Sequence, residues 1–289
     1  MIGKVAGLLV LMEVTLQQVA TRMDLRTATK FANCPSINEI HFEGICSSSW
    51  AISVASVASD EFCAVNSTLG GITRFSYQNM MECCSDCYVG YDTGCYGGNF
   101  ISGMKYLSTV GVVTGSMNGT VQTFCKNYKL RECYLDPTIT GATLCTASDF
   151  DFSITVDACS KNCSTGGQNY VPIKMNYNQI SQGGFSNYAD AIKAKIIANW
   201  IVVTEMSVFE DLYAYKSGDI YVHLYGRSVG TLTVAIVGFD TSPDTKQDYW
   251  IVRMPWGKKF GDNGFIKIQR GTNNSGIENP GNAYYISMV

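Results

Sequence analysis

Twelve cysteines set against two histidines limit this chain's fold more than any other feature. An even set of thiols of that size either binds metal or closes disulfides. No cysteine spacing is matched by a histidine pair of the kind zinc sites use, because only His41 and His223 are present. Neither has an acidic neighbour in the sequence, so we expect no metal site and no cofactor. Disulfides are favoured, although spacing alone leaves their connectivity open. Six bridges persist only in an oxidising space, which points to the lumen of the secretory or endolysosomal pathway or to the cell exterior.

The N-terminus agrees with export. Lys4 followed by the apolar run from Val5 to Met12 has the form of a signal peptide over residues 1–20, with cleavage near Ala20. The run is too short to span a bilayer, so no membrane span is expected in the mature chain. A buried N-terminal helix competes with this reading, since Glu13 follows the run at once. Asn66, Asn118, Asn162 and Asn273 head Asn-X-Ser/Thr sequons, which suits a secreted glycoprotein. A net charge of -3 without a basic stripe argues against nucleic acid as a partner. With 46% hydrophobic residues in 289, the chain can bury a sizeable core.

Organisation changes near the middle. Ser49 to Cys63 places Trp50, Val54, Val57, Ala58 and Phe62 among small residues, as in a helix buried on most sides, with serine suited to its N-cap. Further helices are expected over Tyr77 to Cys83 and Phe100 to Val110, the last ended by Gly111. Residues 112–170 read as cysteine-punctuated loop. Beyond Tyr170 come a helix over Tyr188 to Trp200 and a short one over Val208 to Tyr215. Strands are expected over Val229 to Phe239, Tyr249 to Met254 and Gly264 to Gln269. A helical lobe followed by a β lobe makes the cleft between them the default binding site.

Several motifs, in order, carry a family resemblance. Cys34-Pro35-Ser36-Ile37-Asn38-Glu39-Ile40 and Glu43-Gly44-Ile45-Cys46-Ser47-Ser48-Ser49-Trp50 come first. Cys83-Cys84-Ser85-Asp86-Cys87, Gly94-Cys95-Tyr96-Gly97-Gly98 and Tyr213-Ala214-Tyr215-Lys216-Ser217-Gly218 follow. Trp256-Gly257 and Gly261-Asp262-Asn263-Gly264-Phe265 close the series. Together they resemble the papain family of cysteine proteases, of the cathepsin B type, over roughly residues 23–289. The resemblance implies an α+β, two-lobed papain-like fold: a helical lobe over 21–165, with an occluding-loop region at 112–165, and a β-barrel lobe over 166–289. It also implies the pairs Cys34 with Cys63, Cys46 with Cys95, Cys83 with Cys159, Cys84 with Cys87, Cys125 with Cys163 and Cys133 with Cys145.

The same resemblance marks departures. Ser49 stands at the family's nucleophilic cysteine, Leu232 at its histidine, Met254 at the asparagine that orients the histidine, and Glu43 at the glutamine that donates to the oxyanion. Leucine cannot take a proton, and a carboxylate at neutral pH can only accept. His41 and His223 are read as ordinary surface histidines and not as replacement bases. The segment between Cys133 and Cys145 holds none of the histidines that dock a peptide carboxylate in cathepsin B. We therefore expect a pseudoprotease with no catalytic residues, acting by binding an as yet unidentified protein or peptide, with Gly97, Gly98 and Trp256 as candidate cleft contacts. A structural component of a secreted matrix or granule, or residual peptidase activity through Ser49, are the competing readings. Glu43 is expected near the N-terminus of the helix that begins at Ser49, and Leu232 and Met254 are expected to pack together beneath Trp256.

Overall fold

The computed structural model describes residues 20–66, 73–88, 94–117, 123–134, 139–150, 156–164 and 166–289. The signal-peptide expectation, except for Ala20, and the sequon at Asn118 lie outside the described residues.

Helix α1 spans Ser49–Val65 and runs through the centre of the molecule, with every residue from Ser49 to Cys63 buried. Its many serines and alanines let neighbours approach on all sides, and its hydroxyls find partners: Ser53 donates to the Thr233 carbonyl at 2.7 Å and Ser59 to the Ala55 carbonyl at 2.7 Å. Two consecutive buried acids tie it to other segments. Asp60 meets Arg253 at 2.8 Å, and Glu61 meets Lys30 at 2.6 Å. Helices α2 (Tyr77–Cys83) and α3 (Phe100–Thr109) complete the helical side. Gly111 follows α3 at φ +92, where an added Cβ would come within 3.0 Å of the Ile173 carbonyl.

The β side is one sheet of eight strands. These are β1 (Met23–Asp24), β2 (Asn176–Gln179), β3 (Val202–Phe209), β4 (Ile220–Tyr221), β5 (Ser228–Thr241), β6 (Asp248–Arg253), β7 (Phe265–Gln269) and β8 (Tyr284–Ser287). Their order is β2-β8-β3-β5-β6-β7-β4, with β1 added to β5. All pairs are antiparallel except β4 with β7. The N-terminal stretch thus contributes a strand to the sheet. Helix α4 (Tyr188–Ile197) belongs to the same half.

Two expectations need correcting here. The helix expected to reach Trp200 stops at Ile197, because Asn199 turns to φ 63 and breaks the helical path. The residues that follow form β3, which pairs with β5 along its whole length. The short helix expected over Val208 to Tyr215 is divided: Val208 and Phe209 end β3, and only Glu210–Ala214 form a 3-10 turn. Pairing with β5 outweighs local helical preference there.

The bridges are Cys34–Cys63, Cys46–Cys95, Cys83–Cys159, Cys84–Cys87, Cys125–Cys163 and Cys133–Cys145. Three of them anchor the stretch from 112 to 164, in which the described regular structure is one 3-10 turn, Ala147–Phe150. Asn162 and Asn273 are exposed and Asn66 is half-buried. The Asn273 amide is already committed, donating to Asn279 Oδ1 at 2.8 Å and accepting from the Glu278 N–H at 2.9 Å.

Candidate functional site

The segment before α1 lies antiparallel to the chain after β6. The Glu43 N–H donates to the Pro255 carbonyl at 2.9 Å, the Gly257 N–H donates to the His41 carbonyl at 3.0 Å, and Phe42 bridges Trp256. This short ladder sets the Glu43 side chain between the start of α1 and Trp256. One carboxyl oxygen accepts from the Ser49 N–H at 3.0 Å and the other from the Trp256 indole at 2.8 Å. Glu43 therefore supplies the helix cap that was expected of a serine. Ser48, the residue at the cap position, makes no capping bond; its hydroxyl turns to the Cys46 carbonyl and to the Tyr128 hydroxyl.

The electrostatics of Glu43 correct the sequence reading. Burial pushes its carboxyl up to about 8, against the pull of the Trp256 indole and the Ser49 and Ser48 N–H groups. Glu43 is then largely protonated at neutral pH and is not a fixed negative charge. It retains one O–H, while both oxygens are already engaged by N–H donors. The Tyr128 hydroxyl donates to the Glu43 carbonyl at 2.8 Å and closes this corner.

Ser49 is 7% exposed. Its hydroxyl accepts from the Thr233 N–H at 3.3 Å, so its described partner is a peptide group on β5 and not a base. Leu232, next in the chain to Thr233, is 4% exposed, and Met254 is 1% exposed. Both belong to one apolar cluster against which Trp256 packs. Tyr213 stacks on Trp256, its ring 5.6 Å away and nearly parallel. Glu43, Ser49 and Trp256 are thus joined by direct hydrogen bonds, and Leu232 and Met254 flank them through their chain neighbours.

Gly97 and Gly98 differ in their reasons for being glycine. A Cβ on Gly98 would fall 2.5 Å from the Trp50 ring, so packing beside α1 requires its absence. Gly97 has φ +103 and open space where a side chain would stand.

Neither histidine is an ordinary surface residue. His41 is buried, edge-on to Tyr77, and burial together with the nearby Arg253 and Arg74 charges pushes it down to about 3. His223 stacks on Phe209 with centroids 3.6 Å apart and meets the Asp211 carboxylate at 3.1 Å. The fold supplies the acidic neighbour that the sequence does not show. Asp211 is held well below the usual carboxylate range by donors from Tyr221, Leu224, Tyr225 and His223, which outweigh its burial.

Sequence reasoning gave no role to Tyr128, Thr233 and Lys259, which come from separate loops and a strand, and it noted Tyr213 only as part of a motif and not as the partner of Trp256. Beside Trp256 a groove of about 520 Å³ opens between β5 and the loop closed by Cys133–Cys145.

Comparison with known proteins agrees with this architecture. The model of the papain family cysteine proteases matches residues 19–285. Cathepsin B-like cysteine proteinase 4 of Caenorhabditis elegans is 36% identical over 256 residues, covering 86% of this chain and 71% of that one. The gut-specific cysteine proteinase of the same organism is 32% identical over 268 residues, 92% and 73% of the two chains. Among solved structures, procathepsin B S9 from Trypanosoma congolense superposes with a TM-score of 0.69 at 26% identity, covering 94% of this chain and 79% of its own. A central buried helix, a sheet behind it, a cleft at the helix N-terminus and a family match over nearly the whole length place this chain in the papain family of cysteine proteases, among the cathepsin B-like members.

Proposed function

We propose that this chain is a catalytically inactive member of its family, secreted, which acts by binding a peptide or protein and not by hydrolysis. One observation carries the reading: the partner described for the Ser49 hydroxyl is the Thr233 N–H, which cannot take a proton, and the positions of the family's base and its orienter hold the buried side chains of Leu232 and Met254. A hydroxyl becomes a nucleophile only when a base takes its proton, and neither side chain can do so. His41 and His223 are engaged with Tyr77 and with Asp211 and Phe209. The same proposal includes a helical lobe over 21–165, a β lobe over 166–289 and a signal peptide over 1–20. Six disulfides suit a lumenal or secreted protein, and among the described residues no helix is long and apolar enough to cross a membrane.

The test is hydrolysis of peptide and ester substrates by the disulfide-intact protein under acidic and neutral conditions. No turnover is expected. Turnover that disappears in Ser49→Ala would overturn the proposal. Ser49→Cys alone should restore nothing, because the thiol still lacks its base. Ser49→Cys combined with Glu43→Gln, Leu232→His and Met254→Asn should give trace activity in a folded protein.

A further inference from the structure

A second cavity, of about 240 Å³, involves Ser59 of α1 and Tyr77 of α2 and shares no lining residue with the groove beside Trp256. Its buried lining is His41, Ser59, Phe75 and Tyr77, while Phe124 and the Glu39–Arg74 pair are its half-buried members. The volume lies below the roughly 300 to 1,000 Å³ of drug-sized sites, so the space suits a ligand of few atoms.

Two polar groups in this lining are left over. The Ser59 hydroxyl is used twice, donating to the Ala55 carbonyl at 2.7 Å and accepting from the Phe75 N–H at 2.9 Å. The Tyr77 hydroxyl and His41 Nδ1 are buried with no hydrogen-bond partner among the described residues. Tyr77 is 3% exposed and His41 7%, and a buried polar group without a partner is costly. The Tyr77 ring sits edge-on to His41 at 5.6 Å and to Tyr128 at 4.6 Å, which holds it in place and keeps its hydroxyl from turning to another protein group.

The two leftover groups are uncharged near neutrality. Burial, with the nearby Arg253 and Arg74 charges, holds His41 unprotonated, and burial pushes the Tyr77 hydroxyl well above its ordinary value. The charge of Arg74 is matched by Glu39 in a two-point pair, at 2.7 and 2.6 Å. An ionic ligand would have to shed its water beside uncharged groups or break that pair. An uncharged hydroxyl does neither, since it can donate to the unprotonated ring nitrogen or accept from the Tyr77 O–H. Phe75, Phe124 and Tyr77 supply aromatic walls for a ring.

We propose that this cavity binds a small uncharged phenol, its ring among Phe75, Phe124 and Tyr77 and its hydroxyl paired with Tyr77 and His41. The site lies outside the cleft, so hydrolysis through Ser49 would overturn the reading above and leave this one standing.

The experiment is isothermal titration calorimetry of the disulfide-intact protein with phenol, with toluene as its apolar isostere, and with benzoate. Phenol should bind saturably and about fivefold or more tightly than either, as one net hydrogen bond allows. Tyr77→Phe removes only the unpartnered hydroxyl. It should weaken phenol about threefold or more, leave toluene unchanged and keep the wild-type Tm without ligand. Equal affinities for phenol and toluene, tighter binding of benzoate, an unchanged phenol affinity in Tyr77→Phe, or no saturable binding at all would overturn the proposal. So would a Tyr77→Phe protein that melts clearly below wild type without ligand, because the hydroxyl would then already be paired by an ordered water.

Discussion

Replacing Glu43 by glutamine should change how stability depends on pH more than it changes stability itself. A carboxyl raised from 4.5 to about 8 binds a proton in the folded state that the unfolded chain has already released. Its contribution is therefore fully present below the unfolded value and falls as pH rises, by about 1.4 kcal/mol per pH unit while folded Glu43 stays protonated. From about pH 5 to about pH 7.5 that amounts to roughly 3 kcal/mol. Glu61, pushed up to about 7 by burial, adds a slope of the same sign. His41, pushed down to about 3, opposes them below its ordinary value of 6.5, because only the unfolded chain takes up its proton there. Comparing wild type with Glu43→Gln cancels these other groups and isolates Glu43. The amide keeps one acceptor but sets an NH₂ against the second N–H donor, at about 1 to 2 kcal/mol. The variant should thus be the less stable protein near pH 5 and the equal or more stable one by about pH 8. Urea unfolding at intervals across this range provides the assay. Parallel curves for the two proteins would show that the N–H donors, and not burial, decide the state of Glu43.

Two further outcomes follow from buried contacts. Arg253→Met should cost about 3 to 5 kcal/mol in urea unfolding, because it strands a fully buried Asp60. Adding Asp60→Asn should recover part of that loss, and a loss below about 1 kcal/mol in the single variant would show that Asp60 is already neutral. Gly98→Ala should cost about 1 to 3 kcal/mol and shift Trp emission, since its Cβ would meet the Trp50 ring. Gly97→Ala, with open space at its Cβ, should cost only the backbone term of about 1 kcal/mol, and equal losses at the two positions would contradict the packing argument.

Much of the architecture was legible in short stretches of sequence. The small-residue pattern of α1, the boundaries of α2 and the strongly β-branched β5 are local signals, and the chain follows them. Glu43 near the start of α1 was also foreseeable, because only five residues separate it from Ser49 and a helix N-terminus attracts a carboxyl. Strand β3 was harder to see. Its apolar residues follow directly on α4, and the break between them is a single left-handed asparagine, Asn199, whose conformation depends on the strand pairing beyond it.

What the sequence determined by itself is the residue chemistry: twelve cysteines, a serine before Trp50, and leucine and methionine at positions that relatives use for polar groups. Which charges exist in the cleft was decided only by the tertiary structure. Glu43 and His41 carry ordinary side chains, and it is burial that holds one protonated and the other unprotonated near neutrality. Burial depends on which distant segments close over a residue. For Glu43 that is the turn after β6, which brings the Trp256 indole onto its carboxyl from 213 residues along the chain, and for His41 it is helix α2, whose Tyr77 meets the imidazole edge-on. The groove is likewise a property of no segment, since Phe42, Val208, Leu232 and Lys259 meet only when the sheet and the disulfide-closed loop are assembled around α1.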